Sequence, residues 1–161
     1  MTYLKILNKR EKVEVEKKLH EQFGVDSIPG MIVMRGEERL FLFSGDLSEK
    51  GIGLLEKCTF IERIGIYFAK IIGNDIRLSI EGSQILKDQI KKNVFPLDSG
   101  QAEEWMKGRE LPIKTDKHGF LIMKHGEDFL GTGKASEEKI GNFIPKNRRL
   151  KEKSQKYQVA F

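Results

Sequence analysis

GFLIMKHGEDFLGTGKASEEKIGNFIPKNRR, residues 119–149, holds two apolar runs separated by a tight polar turn, and the second run closes on Gly131-Thr132-Gly133. A third short run, Phe143-Ile144, gives way at Pro145 to Lys146, Arg148 and Arg149. This pattern predicts a small sheet that feeds into a cationic strand end, a surface suited to a phosphate backbone. If the strand continued past the proline, alternation would put Lys146 and Arg148 on one face and Arg149 on the other. Proline removes a backbone donor, however, and tends to end a ladder where it stands.

The glycine step invites comparison with a nucleotide-binding P-loop and fails it on spacing. The position five residues before Gly133 is Asp128 instead of glycine, and Ala135 stands where serine or threonine is needed. Glycines two apart on a strand instead let a backbone approach closely or let a sheet bend. Lys134 beside them is a candidate phosphate contact. The acidic pairs Glu37-Glu38, Glu103-Glu104, Glu127-Asp128 and Glu137-Glu138 are sequence neighbours at turns or on an exposed helix, and read as solubilising charge. His20, His118 and His125 have no carboxylate or cysteine at ligand spacing, so no metal site and no cofactor is expected. Cys58 is the only cysteine, which excludes an internal disulfide, and it reads as a small core residue.

The charge is segregated. From Lys139 to the end there are seven Lys or Arg (139, 146, 148, 149, 151, 153 and 156) against the single acid Glu152, a balance of +6. Residues 1–138 hold 22 basic and 23 acidic side chains, a balance of −1, so the whole surplus behind the net +5 lies in the last 23 residues. Such a distribution points to a polyanionic partner, against the simpler reading of a solvated terminus. No apolar run approaches the roughly 20 residues that span a bilayer, and the N-terminus lacks the apolar core of a signal peptide. A cytoplasmic protein without membrane contact is expected.

The rest of the chain reads as alternating helices and hairpins. Val15, Leu19 and Phe23 give a helix over residues 10–23 that Gly24 ends. Hairpins follow at 31–34 with 40–43, and at 66–72 with 76–80, where Ile76, Leu78 and Ile80 share one face. Residues 47–57 are ambiguous because Gly51 and Gly53 weaken a helical pattern. Gly82-Ser83 opens a helix running to Lys92, and the charged run 91–93 marks a boundary between residues 1–92 and 93–161. Beyond it come an extended piece at 94–96 and a helix capped by Asp98 or Ser99, with Gln101 in capping-box spacing. Trp105 lies on the buried stripe of that helix and is assigned to core. Short strands at 109–113, 120–123, 129–133 and 140–144 complete a small β-barrel, open or closed. Phe143 and Tyr157 are aromatic enough to stack on bases, but Phe143 is assigned to core.

Gly119-Phe120-Leu121-Ile122, Leu130-Gly131-Thr132-Gly133 and the ending Asn142-Phe143-Ile144-Pro145-Lys146-Asn147-Arg148-Arg149-Leu150 together resemble a known family. This half is similar to the PUA-type RNA-binding domain in the version attached to the NOP/Sun rRNA cytosine methyltransferases. The glycine-closed strand and the Asn-x-x-Pro-x-x-Arg-Arg ending carry the likeness. The preceding half, especially residues 63–86, resembles the pre-PUA domain of a small large-subunit ribosome-biogenesis factor. The resemblance implies an α+β chain: an N-terminal α/β pre-PUA domain, then a mixed β pseudobarrel that binds structured RNA, rRNA or tRNA. It implies no catalysis here, because the methyltransferases need a large cofactor-binding domain and cysteines after Pro or Thr, whereas Cys58 follows Lys57.

The sequence therefore predicts a non-enzymatic RNA-binding protein of ribosome biogenesis or rRNA modification. Its contact set is Arg109, Lys134, Lys146, Arg148, Arg149 and Lys151, chosen for charge, with arginine able to give phosphate two parallel bonds. The rival is a protein–protein adaptor that docks on a ribosome-assembly factor or an RNA-modification enzyme. An exposed apolar patch within residues 40–80 would favour it.

Overall fold

Asn8 starts the first helix by accepting from the Glu11 amide at 2.8 Å, while the Glu11 side chain accepts from the Asn8 amide at 3.2 Å. That reciprocal box sets α1 (Lys9–Phe23), which ends at left-handed Gly24 and buries Val15, Leu19 and Phe23. The structure, a computed structural model, describes residues 4–46, 48–61 and 63–151. Around α1 lie β1 (Leu4–Ile6), β2 (Met31–Arg35), β3 (Arg39–Phe43), β4 (Ile66–Ile72) and β5 (Asp75–Leu78), which form a five-stranded antiparallel sheet in that order. The residues left ambiguous by Gly51 and Gly53 form α2 (Glu49–Cys58), capped by Ser48, and bury Ile52. Cys58, read as a core residue, is exposed at the end of this helix.

The second sheet is β6 (Val94–Pro96), β7 (Gly119–His125), β8 (Asp128–Ala135) and β9 (Ile140–Asn142), with β6 parallel to β7 and the other pairs antiparallel. Asp98 caps α4 (Ser99–Met106), and Gln101 completes the capping box. Residues 109–113 are not a strand; they touch the sheet only through a bridge from Leu111 to Ile140. The observed architecture is thus mixed α/β, two sheets with few helices.

The two sheets share a core. Ile32, Leu40, Leu42 and Phe68 of the first meet Phe120, Ile122 and Phe129 of the second, together with the buried stripe of α1. Trp105 of α4 packs on the opposite face of the second sheet with Leu121, Met123, Ala135 and Ile140. A short helix, α3 (Ile80–Ile85), joins the sheets. The alternation of Ile76, Leu78 and Ile80 had suggested a longer strand with a helix beginning at Gly82. Ser79 breaks that pattern: it accepts from the Gly82 amide at 3.0 Å and donates to the Tyr67 carbonyl at 2.7 Å, so the helix begins at Ile80. It stops at Ile85 and does not run to Lys92. Ser83, fully buried, donates to the Ile80 carbonyl and accepts from the Gly131 amide at 3.1 Å, which ties α3 to β8.

Candidate nucleic-acid interface

The glycine step on β8 is a β-bulge. Leu130 and Gly131 together face Met123, because Ile122 pairs with Thr132 while Lys124 pairs with Phe129. Gly131 takes φ 81°, a conformation that side-chain-bearing residues avoid. The bulge turns the Leu130 carbonyl toward Trp105 Nε1 (2.9 Å) and the Gly131 amide toward Ser83. Gly133 has the other task, since a Cβ there would lie 2.8 Å from the Trp105 ring and 2.7 Å from Ile140. The step therefore seats the tryptophan and α3.

The Asn-x-x-Pro-x-x-Arg-Arg ending is also a structural device in large part. Asn142 donates to the carbonyls of Trp105 (2.8 Å) and Arg109 (2.9 Å) and accepts from the Ile144 amide (2.8 Å). The Leu150 amide donates to the Met106 carbonyl, so the ending wraps around the C-terminal end of α4 and satisfies carbonyls a helix leaves open. After Pro145 the chain does not continue as a strand. Lys146–Arg148 form a 3-10 turn, because the prolyl φ of −58° starts a turn and the Arg148 amide closes on the Pro145 carbonyl at 2.9 Å. The alternation expected for Lys146, Arg148 and Arg149 is replaced by that turn.

The six cations of the sequence reading fall into two groups. Arg149 donates from Nε to the Ile144 carbonyl at 2.9 Å and lies directly over Gly108, half-buried. Arg148 is ion-paired with Glu81 of α3. Arg109 is paired with Glu104 at 2.6 Å. Lys134, Lys146 and Lys151 are exposed, and no carboxylate pairs with them among the described residues. Asn142 and Arg149 bring Arg109 and the ending to one loop region, whereas Lys134 sits on β8 opposite Gly141 of β9. Lys153, Lys156 and Tyr157 lie outside the described residues.

One basic residue was missed. Arg77 of β5 lies over the Phe143 ring, 4.2 Å from its centroid. Phe143, assigned to core, is instead 37% exposed and meets Phe120 edge-on at 6.2 Å. Arg77 and Phe143 border a cleft at the junction of the sheets that also includes Ser79, Glu81, Thr132 and Arg148. Its volume of about 40 Å³ admits no more than a few waters. Cofactor pockets begin at roughly 300 Å³, so any large ligand would lie on the rim of the cleft. The acidic pairs serve surface charge: Glu38 meets Lys70, and Glu103 meets Lys107. Among the described residues no three potential metal ligands converge, and no helix is long and apolar enough to cross a membrane.

Residues 92–150 match the family described as the Methyltransferase RsmF PUA domain. This half of the chain contains a PUA domain. The PUA domain and the region before it are similar to the ribosomal RNA small subunit methyltransferase F of Vibrio cholerae, 25% identical over 138 residues. The enzyme of the same name from Aeromonas salmonicida is 28% identical over 131 residues, and that from Erwinia tasmaniensis 28% over 111. These alignments cover 85%, 81% and 68% of this chain but only 28%, 26% and 22% of the relatives. The chain therefore spans little more than a quarter of the length of the relatives it matches. Residues 92–161 number 70, so the 138-residue alignment extends well into the region before the PUA domain. The likeness to these enzymes thus reaches the first sheet.

Proposed function

We propose that this chain is a non-catalytic, cytoplasmic RNA-binding protein of rRNA modification or ribosome biogenesis. Its PUA domain engages structured RNA, rRNA in preference to tRNA given what the relatives are named for. In this reading residues 1–92 form a pre-PUA unit and residues 93–161 the RNA-binding unit. The observation that carries it is a PUA domain whose exposed lysines, Lys134, Lys146 and Lys151, have no carboxylate partner among the described residues. Arg109, Arg148 and Arg149 complete the contact set, but each already holds a protein group, so they contribute less than the lysines. No cofactor, metal or catalytic residue is assigned.

Binding of a radiolabelled rRNA fragment across a salt series tests this. Each phosphate contact contributes a slope of roughly 0.7 in log K against log salt on single strands, and somewhat more on duplex. Lys146→Glu/Lys151→Glu therefore flattens the slope by more than about 1 and weakens binding. An unchanged slope and affinity overturns the assignment of these residues.

A second role is favoured by one observation. Leu54, Leu55, Phe60 and Ile66 are exposed, Phe60 by 72%, all on or after α2 within the N-terminal unit. Such a group of large apolar side chains fits an adaptor surface for an RNA-modification enzyme or assembly factor. Surface substitutions here alter stability by about 0.5 kcal/mol or less. Leu54→Lys/Phe60→Glu thus leaves folding and RNA affinity intact while abolishing binding to a purified rRNA methyltransferase catalytic domain. Failure of the wild-type chain to bind that domain removes the adaptor role.

A further inference from the structure

We infer that Arg77 and Phe143 form a stacking platform for an unpaired RNA base, assembled only where the two sheets meet. The inference rests on the RNA-binding reading and adds the element of RNA recognised. Arg77 comes from β5 of the N-terminal half and Phe143 from the chain just beyond β9, so neither half supplies the platform alone. Phe143 is anchored from the side by Phe120, at an interplanar angle of 70°, and Lys134 Nζ stands 5.9 Å from the Phe120 ring. The result is a row of cation, aromatic, aromatic and cation across the joint.

Several features separate this row from ordinary surface charge. The Arg77 side chain makes no ion pair or hydrogen bond among the described residues, although Lys70, directly across the ladder from it, is tied to Glu38. A guanidinium held over a ring keeps its other face for a second planar group, and bases stack on arginine planes as well as on aromatic rings. The cleft beside it is too small to admit a base, which leaves stacking on the rim as the available mode. Glu81, the carboxylate on the cleft wall, is occupied by Arg148 and so does not neutralise Arg77. At the cleft wall the Thr132 hydroxyl is buried without a partner among the described residues. Lys134, beside the Phe120 ring, is placed to meet the phosphate next to a stacked base, while Arg148 stays paired with Glu81.

The test uses the full chain, a fluorescein-labelled RNA hairpin with an unpaired loop, the same hairpin with 2-aminopurine in the loop, and a fully paired duplex. Arg77→Lys keeps the charge and removes the plane. Phe143→Leu keeps apolar packing on Phe120 and removes the ring. Base–aromatic stacking losses correspond to about 5- to 100-fold in affinity. Both variants are expected to bind the hairpin weaker by that order, with an unchanged salt slope, lost change in 2-aminopurine fluorescence and unaltered duplex binding. Hairpin binding as tight as wild type in both variants, or equal losses on hairpin and duplex, overturns the platform. Arg77 is half-buried but its side chain holds no ion pair among the described residues, so Arg77→Lys breaks no salt bridge and remains informative if Phe143→Leu proves unstable. A wild-type chain that binds no RNA at all refutes the parent reading, a result distinct from either of these.

Discussion

Replacing Asn142 separates a structural signature from a binding signature. The side chain makes three hydrogen bonds of 2.8–2.9 Å: two donated to the Trp105 and Arg109 carbonyls and one accepted from the Ile144 amide. A net hydrogen bond contributes about 1 kcal/mol, and an orphaned, partly buried group adds to the loss. The Trp105 carbonyl keeps the Gly108 amide at 2.9 Å, so the Ile144 amide is the main orphan. Asn142→Ala should then cost about 2–3 kcal/mol. With urea m-values of about 1–3 kcal/mol/M, the unfolding midpoint falls by roughly 0.7–3 M. Asn142→Asp sharpens the test. It keeps the acceptor for Ile144 but turns a carboxylate oxygen onto two carbonyls, so it should cost at least as much as alanine. Urea unfolding followed by circular dichroism measures both. An aspartate variant as stable as wild type refutes the hydrogen-bond argument. A folded, fully stable alanine variant with weaker RNA binding at an unchanged salt slope would show instead that Asn142 contacts the RNA.

Other outcomes follow from the same contacts. Gly133→Ala places a Cβ 2.7 Å from Ile140 and 2.8 Å from the Trp105 ring, an overpacking worth about 1–3 kcal/mol. Trp105 is the only tryptophan, so its fluorescence should shift, and an unshifted spectrum with full stability contradicts the packing. Glu81→Gln frees Arg148 and should steepen the RNA salt slope by about 0.7 with little effect on stability. A slope no steeper than wild type excludes Arg148 from the interface. The Glu11 carboxyl is held below the usual range by its bond to Lys5, then by the Asn8 amide. Because the folded value is the lower one, this support for α1 is full above the unfolded pKa and is lost as pH falls through the folded pKa. An NMR titration of Glu11 with an ordinary glutamate midpoint contradicts it.

How far the sequence could be read depended on whether a signal was local. The Gly24 end of α1, the capping box of α4, the first hairpins and the burial of Trp105 rest on residues within one turn or one strand pair, and they were legible, whereas the Asn8 box that starts α1 was not read. Ser79 was not, because its hydroxyl serves α3 and the Tyr67 carbonyl together, and alternation through Ile80 imitates a longer strand. The parallel pairing of β6 with β7 joins segments separated by α4 and a loop, and hydrophobic alternation carries no strand direction. Residues 109–113 have the composition of a strand but pair with the sheet only at Leu111. In the candidate site, counting charge found the cations but not their partners. Nothing near Arg148 in sequence announces Glu81, and nothing near Arg77 announces Phe143.

The residues that carry the family likeness and the residues that suit RNA contact are largely different. Gly131 shapes a bulge, Gly133 admits Trp105, Asn142 closes the end of α4, and Arg149 spends Nε on a carbonyl. A group fully engaged by the protein must give up that partner before it can serve a ligand, and the exchange cancels much of the gain. The stronger contacts should therefore come from residues with no such duty: Lys134, Lys146 and Lys151, together with Arg77 above Phe143. Those positions are free to vary in a way the fold-forming ones are not. Two chains could then share the Asn-x-x-Pro-x-x-Arg-Arg ending and the glycine step yet prefer different RNAs. Transplanting the fold signature should transfer stability, and transplanting Arg77, Phe143 and the three lysines should transfer RNA preference.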